Sequence, residues 1–403
     1  MTDRLVEWCE VNSGSNHLEG LERMLKILEE AFADLPGVGE SISLPPMREF
    51  QPSGETILRP VGKAYRRRCR PEAPLQILLC GHMDTVFGRE HPFQHAKLEN
   101  GILNGPGAAD MKGGLLVMLY ALLAFEKSQR SNLGWEVLIV PDEEIGSQSS
   151  GGLLIEAAVN NQAGLVFEPS LPDGSMVRSR KGLGTFNVVV RGRAAHVGRN
   201  FQKGRNAIVV LSELIQRIDV LNTEIPEAVF NAGRILGGGA LNVVPDRAAA
   251  QFNVRVAHAG MITEVTARLE EIVAAMNVRE GISITLEGGF TRPPKIVGPA
   301  DEAIFHQIRA LAAEDGEFLQ WKDSGGGSDG NNLSAAGLPN IDTLGPRGGN
   351  LHSDMEFVDT SSLPRRVRLV ERLLLEWAAN GLPPEVRRAA ESKTINHERR
   401  SFQ

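Results

Sequence analysis

Two adjacent glutamates, Glu143 and Glu144, are the most chemically informative residues of the chain. They follow the apolar run 135–140, which predicts a buried strand, so both carboxylates are expected at the C-terminal end of that strand. Adjacent carboxylates in a buried setting repel each other and raise each other's pKa unless a cation neutralises one of them. One glutamate could hold a metal ion while its neighbour moves a proton, which is the chemistry of a metal-dependent hydrolase.

The rest of a cation site is offered by histidines and carboxylates in other short motifs. They are His82 and Asp84 in GHMDTV, Asp110 in GAADMKGG, Glu168 in LVFEPS and His352 in NLHSDMEF. Two histidines and three carboxylates, without thiolate, suit two zinc ions that share one bridging aspartate, with cobalt or manganese as alternatives. Asp84 follows His82 by two residues, so it could accept a hydrogen bond from the second ring nitrogen of that histidine.

Each of these residues taken alone has an ordinary structural interpretation. Asp110 precedes a predicted helix and could be its N-cap. His82 could be satisfied by backbone groups, and His352 could lie on a surface loop. The combination favours a metal site over these separate interpretations. A serine nucleophile is not indicated, because the segment 326–330 is not GxSxG, and the sequence contains no P-loop motif.

Strands that alternate with helices are predicted to position these residues. Apolar runs at 75–80, 135–140 and 164–167 predict strands, and helices are predicted at 112–126 and 152–159. This alternation predicts an α/β fold in which a mostly parallel sheet is covered by helices on both faces. Ligands in such sheets collect at the carboxyl ends of the strands. The predicted fold would therefore bring the predicted site residues, which follow these strands, to one edge of the sheet.

A second unit is predicted from the change of pattern near residue 182. The order becomes β-α-β-β-α-β, the split βαβ arrangement. We therefore expect a smaller domain at 180–289, inserted into a first domain formed by 1–179 and 290–382, which carries the predicted catalytic residues. The charged tail 383–403 contains few large apolar residues, and we expect it to be frayed or disordered.

Composition and charge limit the class of protein. The 403 residues are too many for one ordinary core, and 42% hydrophobic with 23% charged residues is typical of a globular protein. A net charge of -7 argues against nucleic-acid and membrane partners. Three cysteines without CxxC spacing, and an N-terminal segment without a secretory signal pattern, lead us to expect a cytoplasmic location. The apolar stretch 114–125 predicts a core helix, and the arginines 66–68 predict a solvated face.

At these motifs the chain resembles a zinc-dependent metallopeptidase family. This family includes the aminoacylases, acetylornithine deacetylase, succinyl-diaminopimelate desuccinylase and the folate-cleaving glutamate carboxypeptidases, and the likeness is greatest to the last branch. It covers about residues 1–380 and rests on GHMDTV, GAADMKGG, PDEEIGS, VFEP, AAHVG, NVVPDRAAAQFNVR, GGGSDGN and GGNLHSD.

The resemblance implies a role for each residue of the predicted metal site. One zinc would be held by His82 and Glu168, the other by Glu144 and His352, with Asp110 as the bridge. Glu143 would be the general base and later the acid, and Asp84 would orient His82. The Asp110–Met111 peptide bond would be cis.

The resemblance also implies that 180–289 is a lid and dimerisation domain, and it assigns roles to residues of this domain. His196 would reach the active site from the partner subunit of a homodimer and help to stabilise the oxyanion. Asn242 and Arg255 match positions that hold the free carboxylate of the substrate, and the segment 325–327 would line the same pocket.

These inferences predict a dizinc hydrolase that cleaves an amide next to a free carboxylate in a small molecule or short peptide. Glu143 would take a proton from water and pass it to the leaving amine. Carboxypeptidase-like release of a C-terminal amino acid such as glutamate and deacylation of an N-acyl amino acid share this chemistry, and both stay open. A catalytically inactive homologue that binds ligands is a third possibility, which the complete ligand set disfavours.

Overall fold

The architecture is that of a computed structural model, which describes residues 1–51 and 55–401. The helices within these ranges are α1 Thr2–Cys9, α2 Leu18–Phe32, α3 Gly114–Glu126, α4 Gly151–Asn160, α5 Val197–Asn200, α6 Ala207–Glu224, α7 Gly260–Asn277, α8 Pro299–Glu314, α9 Asp329–Ala335, α10 Ser362–Asn380 and α11 Pro384–Ser401. A π-helical turn, Ala108–Gly113, precedes α3, and 3-10 turns form at Glu143–Ile145 and Phe201–Lys203.

The strands alternate with these helices. They are β1 Val38–Ile42, β2 Met47–Phe50, β3 Thr56–Arg59, β4 Ala64–Cys69, β5 Leu75–His82, β6 Lys97–Glu99, β7 Ile102–Asn104, β8 Leu133–Val140, β9 Ala163–Val166, β10 Met176–Arg180, β11 Gly182–Arg191, β12 Ala228–Gly237, β13 Arg247–Val256, β14 Ser283–Arg292, β15 Trp321–Ser324, β16 Asn340–Ile341, β17 Gly348–Gly349 and β18 Phe357–Asp359. The predicted α/β fold is confirmed.

A six-stranded sheet in the order β1-β4-β8-β5-β9-β16 forms the centre of the larger unit. The pairs β8–β5, β5–β9 and β9–β16 are parallel, whereas β4 joins β1 and β8 in antiparallel pairs. Every residue of β8 is buried, which is expected of a strand covered on both faces.

Alternation along β5 explains why helices cover both faces of this sheet. Ile77 and Leu79 pack into the core that contains α2, α3, α8 and α10, whereas Leu78 and Cys80 pack against α4 and α9 on the opposite face. Successive side chains of a strand point to opposite faces, so one apolar run supplies two cores. The prediction of a mostly parallel sheet between two helical layers is confirmed.

The second sheet is antiparallel, with the strand order β12-β13-β11-β14. Along the chain its elements follow in the order β11, α6, β12, β13, α7 and β14, which is the predicted β-α-β-β-α-β pattern. Helices α6 and α7 bury their apolar faces against one face of this sheet in a separate core. The boundaries 1–179, 180–289, 290–382 and 383–403 stay predictions, and β14 itself continues to Arg292.

Among the described residues, one segment is long and apolar enough to cross a membrane by length and composition alone. It is Ala108–Glu126, and 83% of the relevant window is buried inside the protein. Helix α3, which makes up most of it, packs in the main core against α10 and β5. The prediction that 114–125 forms a core helix is therefore confirmed.

The prediction of a frayed or disordered tail is wrong, because the segment after residue 383 forms helix α11. Val386 of this helix is fully buried in the main core, and α11 packs against α8. Charged segments carry too few apolar residues to predict a helix from the sequence, but one apolar stripe is enough when a neighbouring helix covers it.

The arginine run was expected to form a solvated face, and this prediction is wrong for two of its members. Arg66 and Arg67 are buried because β4 lies between β1 and β8 in the sheet. The Nε atom of Arg66 lies 2.9 Å from Oε1 of the buried Glu136, and Nε of Arg67 donates to the Pro36 carbonyl at 3.2 Å. Arg68 is exposed as predicted.

Candidate active site

The predicted metal ligands gather at the carboxyl ends of the central strands. His82 is the last residue of β5, Glu143 and Glu144 lie on the 3-10 turn that follows β8, and Glu168 comes two residues after β9. Asp110 lies in the π-helical turn before α3, and its peptide bond with Met111 is cis, as the family resemblance implied. His352 lies in the loop between β17 and β18.

Asp110 stands at the centre of this cluster and offers one carboxylate oxygen to each histidine. Its Oδ1 lies 3.1 Å from Nε2 of His82, and its Oδ2 lies 3.4 Å from Nε2 of His352. Nε2 of His352 is also 3.2 Å from Oε2 of Glu144, and Nε2 of His82 is 3.7 Å from Oε1 of Glu168. This is the arrangement that an aspartate bridging two cations requires.

The donor atoms are close enough to share cations. Ligand atoms of His82, Asp110 and Glu144 lie within 4.8 Å of one another, and so do those of His82, Glu143 and Glu168. Nitrogen and carboxylate donors without sulfur suit zinc, cobalt or manganese. The donor set therefore fits a pair of divalent cations, and Glu143 is itself a member of the second triad.

The electrostatics of the cluster also favour a cation. Burial, together with the charge of Asp110, raises the pKa of Glu144 to about 8 and that of Glu168 well above its usual range. Hydrogen bonds to Asp110 and Glu144 raise the pKa of His352 to about 10. The cluster therefore holds protons that divalent cations would displace, as metal ligands must be deprotonated to bind.

Asp84 is fully buried and organises both the histidine and the glutamate pair. The Nδ1 atom of His82 donates to the Asp84 backbone carbonyl at 3.0 Å, with the Asp84 carboxylate slightly farther away at 3.4 Å. The carboxylate itself accepts the backbone N–H groups of Glu143 and Glu144 at 3.1 and 3.2 Å, and the Ser15 hydroxyl at 2.7 Å. Asp84 thus fixes His82 mainly through its backbone and fixes the glutamate turn through its side chain.

Arg292, at the end of β14, is a site residue that the sequence did not reveal. Its Nη2 atom lies 2.9 Å from Oε1 of Glu143 and donates to the Glu143 backbone carbonyl at 2.6 Å. Burial raises the pKa of the Glu143 carboxyl, and the Arg292 guanidinium opposes that rise. The two residues are 149 positions apart, so no local pattern could have paired them.

Glu356 is a second residue that sequence reasoning missed, although it belongs to the HSDMEF motif of His352. Its buried carboxylate accepts the backbone N–H groups of Gly107, Ala109 and Asp110 at 3.2, 2.8 and 3.0 Å. It therefore ties the turn that carries Asp110 to the segment that carries His352. Its position four residues after His352, within the same motif, is the sequence feature that could have identified it.

A cavity of about 610 Å³ opens beside the cluster. Arg255 lines it and donates from Nη1 to the Gly325 carbonyl at 2.6 Å. Gly326 and Gly327 also line it, in agreement with the role expected of 325–327. Arg180, which was not predicted, lines the same wall and forms a two-pronged pair with the buried Asp342, with Nε–Oδ2 at 2.6 Å and Nη2–Oδ1 at 3.0 Å.

His196 and Asn242 are brought together by the inserted sheet, but not with the metal cluster. The backbone N–H of Val197 donates to the Asn242 carbonyl at 3.0 Å, and His196 pairs with Val243 in a β-bridge. Both side chains are exposed, and neither belongs to the described residues that line the cavity. Within one chain, His196 and Asn242 are therefore separate from the other eight predicted site residues, which are Asp84, Glu143, Arg255 and the five metal ligands.

Several known proteins are similar to this chain in sequence. Residues 78–376 match the peptidase family M20/M25/M40. The chain is 31% identical over 312 residues to carboxypeptidase G2 of Pseudomonas sp. (strain RS-16), covering 75% of this chain and 74% of that protein. It is 30% identical over 315 residues to succinyl-diaminopimelate desuccinylase of Pseudoalteromonas translucida (strain TAC 125), covering 73% and 81% respectively.

Solved structures share the fold at low sequence identity. An M20 family metallo-carboxypeptidase, Sso-CP2 from Sulfolobus solfataricus, superposes with a TM-score of 0.73 at 18% identity over 94% of this chain and 99% of that one. The YXEP protein of Bacillus subtilis, described as a dinuclear metal binding peptidase from the M20 family, gives a TM-score of 0.62 at 15% identity over 93% and 97%.

Proposed function

Because the chain belongs to the peptidase family M20/M25/M40 and is a metal-dependent hydrolase, we propose that it cleaves an amide or peptide bond next to a free carboxylate. The observation that carries this proposal is the shared cavity, in which the Asp110 cluster faces an arginine-lined wall. A cation pair next to arginines suits a substrate that carries a polarisable carbonyl close to a carboxylate.

The five ligands divide into two sets around Asp110. In the proposal His82 and Glu168 hold one zinc ion, Glu144 and His352 hold the other, and Asp110 is shared. Zinc bound there would supply a Lewis acid for the amide carbonyl and lower the pKa of the attacking water. Cobalt or manganese would suit the same nitrogen and oxygen donors.

Glu143 is the proposed proton carrier. It takes a proton from the attacking water and passes it to the leaving amine, which requires a carboxylate held at the site without being a permanent ligand. Arg292 and Asp84 provide this position, because one contacts the Glu143 side chain and the other accepts its backbone N–H. Burial raises the pKa of Glu143, as a group that must both accept and release a proton requires.

Arg255 is the proposed receptor for the substrate carboxylate. A guanidinium can bind a carboxylate through two parallel hydrogen bonds, and Arg255 is half-exposed in the cavity wall. Its Nη1 atom is held by the Gly325 carbonyl, which fixes the direction of the side chain. Arg180 is less available, because its guanidinium is already paired with Asp342.

We further propose a homodimer in which His196 and Asn242 of the partner subunit complete the site. Strand β12 is an edge strand, and edge strands readily pair with another chain. Exposed apolar residues accompany it, including Ile235 at 61% exposure and Leu241 at 100%. The partner's His196 would then donate a hydrogen bond to the oxyanion of the tetrahedral intermediate.

Subunit complementation tests this arrangement. His196→Ala and Glu143→Gln chains should each be inactive, and mixing them should restore part of the activity because one hybrid site is intact. Demonstrated subunit exchange without recovery would mean that His196 does not act across the interface.

The central test of the proposed function is Glu143→Gln in zinc-loaded protein. This variant should retain its metal and lose about 10²–10⁴-fold in kcat, the usual contribution of general acid–base catalysis. Asp173→Asn, at an exposed carboxylate paired with Lys322, serves as the control and should keep wild-type turnover. Turnover by Glu143→Gln close to wild type would refute the assignment.

Two substrate classes have specific support. Carboxypeptidase-like release of a C-terminal amino acid such as glutamate is our first choice, supported by the 31% identity to carboxypeptidase G2. Deacylation of an N-acyl amino acid is the second, supported by the 30% identity to a succinyl-diaminopimelate desuccinylase. Turnover of N-acetyl, N-succinyl and peptidyl derivatives of one amino acid, measured side by side, separates them.

The remaining proposals concern surroundings and partners. With a net charge of -7 we propose that neither nucleic acid nor a membrane surface is a partner. The three cysteines are buried and unpaired, which is consistent with a cytoplasmic location. Cell fractionation checks the location, and retention on anionic vesicles or nucleic acid at physiological salt would contradict the statement on partners.

A further inference from the structure

A second cavity of about 580 Å³ adjoins the cavity of the metal cluster. The two share Gln148, Thr185 and Thr291 in their walls, so they communicate directly. No residue that is found only in this second cavity takes part in the proposed mechanism. Its size is comparable to that of the first cavity, so it could hold a substantial part of a ligand.

The floor connecting the two cavities is the face of the inserted sheet opposite α6 and α7. Along β11, Phe186 and Val188 point into the helix-covered core, whereas Leu183, Thr185 and Asn187 point to the other face. Most of this open face is polar, and Thr185 and Glu287 on it are exposed, so a ligand can reach it. We call it the open-face trough.

Strand register divides the trough into three rows that run away from the metal cluster. The first row is Leu183, Arg255 and Arg292, the second is Thr185, Asn253 and Gly289, and the third is Asn187, Gln251 and Glu287. Leu183 and Asn187 are four residues apart, so the rows span roughly 13 Å at about 3.3 Å per residue. Arg292 of the first row contacts Glu143, and Asn187 and Glu287 of the third row line the second cavity.

The far end of the trough is closed by the β2–β3 hairpin. Phe50 of β2 packs against Val189 and Ala249, which form the next row of the same face. The Thr56 hydroxyl on β3 donates to Oε2 of Glu287 at 3.1 Å. The hairpin therefore attaches to the inserted sheet and gives the trough a finite length.

The lining of the trough matches the chemistry of a peptide backbone. Asn187 and Asn253 line the cavities, and each carries both a donor and an acceptor, as a chain of peptide groups requires. Their Oδ1 atoms already accept from Gln251 Nε2 at 2.9 Å and from Arg255 Nε at 3.2 Å, so each amide NH₂ group is directed by its neighbour. At Gly289, nothing lies within 4 Å of the place a Cβ would take, so the sheet backbone is open to close approach by a ligand. Arg48 and Glu287 add one charge of each sign, which favours a zwitterionic or neutral occupant over a strongly charged one.

We propose that the open-face trough is an extended subsite for the peptidyl part of the substrate. This part lies on the opposite side of the scissile bond from the C-terminal residue, whose carboxylate Arg255 binds. The preferred substrates are then peptides of three or four residues with a free C-terminal carboxylate. An N-acetyl or N-succinyl group would fill little more than the first row. This inference rests on the proposed function and narrows it to peptidase activity.

A length series tests the trough. The substrates are N-acetyl-Glu, N-acetyl-Ala-Glu, N-acetyl-Ala-Ala-Glu and N-acetyl-Ala-Ala-Ala-Glu, so that no free amine changes along the series. With zinc-loaded enzyme, kcat/KM should rise by about tenfold or more from the first compound to the third or fourth, because remote binding energy is used at the reacting bond. A value that stays flat or falls with length would overturn the inference.

Obstruction of the third row localises the effect. Asn187→Trp and Glu287→Trp each place an indole in the trough and should abolish most of the gain with length. Two positions are used so that one poorly folded variant does not decide the outcome. Glu264→Trp, at an exposed position on α7 behind the same sheet, is the matched control and should preserve the gain. Equal losses on short and long substrates in both trough variants would argue against a subsite.

Binding to an inactive enzyme separates failure of the subsite from failure of the proposed function. Isothermal titration calorimetry of the same four compounds with Glu143→Gln protein should show affinity rising with length. Adding Asn187→Trp to this protein should remove the rise. If no amide is hydrolysed but affinity still rises, the trough stands and the proposed reaction fails. Equal affinities for the four compounds would refute the trough whether or not turnover is observed.

Discussion

Replacement of Glu356 should weaken metal binding although this residue is not a metal ligand. Its carboxylate accepts three backbone N–H groups of the turn that carries Asp110, and it is 1% exposed. Each buried donor that loses its acceptor costs about 1–3 kcal/mol. Glu356→Ala therefore costs roughly 3–6 kcal/mol if water re-enters the space and satisfies part of the demand, a large fraction of the 5–15 kcal/mol stability of a domain.

Glu356→Gln is the more informative change, because it preserves size. A glutamine oxygen can still accept from Ala109 and Asp110, but its amide group faces the N–H of Gly107, and the negative charge is lost. We expect about 1–2 kcal/mol of destabilisation. We also expect roughly 10–100-fold weaker zinc binding, which is the usual effect of losing a residue that orients metal ligands.

Zinc competition with a chromogenic chelator measures the affinity, and calorimetric melting of zinc-free and zinc-loaded protein measures the stability. Asp301→Asn is the matched control, because Asp301 is also a buried carboxylate that accepts two backbone N–H groups, from Gly298 and Asn340 at 2.8 and 2.9 Å. It should lower the melting temperature without changing zinc affinity. Unchanged zinc affinity in Glu356→Gln, with a melting loss like that of Asp301→Asn, would show that Glu356 only supports the fold.

Three further predictions concern the bridge, the carboxylate receptor and pH. Asp110→Asn should lower the zinc content measured by atomic absorption from about two ions per chain towards one, since the amide cannot offer an anionic oxygen to both sites; two tightly bound ions in this variant would contradict the bridge. Arg255→Lys should reduce kcat/KM for the acid substrate by about tenfold or more while barely affecting the matching amide, because lysine lacks the two-pronged geometry; equal losses on acid and amide would mean that Arg255 does not read the carboxylate. Burial raises the pKa of Asp329 to about 7, so the folded state favours the protonated form of this carboxyl group. The stability that this protonated form contributes is fully present below pH 4 and is lost as the pH rises through 7. Asp329→Asn should therefore gain stability relative to wild type between pH 4 and pH 8, by at most about 4 kcal/mol; a melting-temperature difference that does not change with pH would contradict this.

The sequence was sufficient to predict that the histidines and carboxylates of the Asp110 cluster gather at one edge of the central sheet. Glu143 and His82 could be placed at strand ends because long apolar runs give strong strand signals, and the carboxyl ends of parallel strands share one edge. The helices predicted at 112–126 and 152–159 correspond to α3 and α4 to within two residues at each end, because both are apolar segments of helical length. Local periodicity depends only on neighbours in the chain, so it can be read without knowing the fold.

Contacts made by residues far apart in the chain required the tertiary structure. Arg292 contacts Glu143 because the inserted sheet lies over the ends of the central strands, and no local sequence pattern indicates that position. The tail forms α11 because α8 and the main core cover Val386, although its composition gave no reason to expect a helix. Asp84 was expected to orient His82, and its carboxylate lies 3.4 Å from Nδ1 of that histidine. That the same carboxylate also accepts the backbone N–H groups of Glu143 and Glu144 required the tertiary structure.

The physical reason is that some interactions depend only on neighbours along the chain, whereas others depend on the whole folded structure. Strand and helix signals arise from side-chain spacing, whereas a buried charge or N–H group must find a partner wherever the folded chain provides one. Glu356 illustrates both levels. Its position four residues after His352 is fixed by the sequence, but its partners at Gly107, Ala109 and Asp110 were set by the packing of two distant segments against each other.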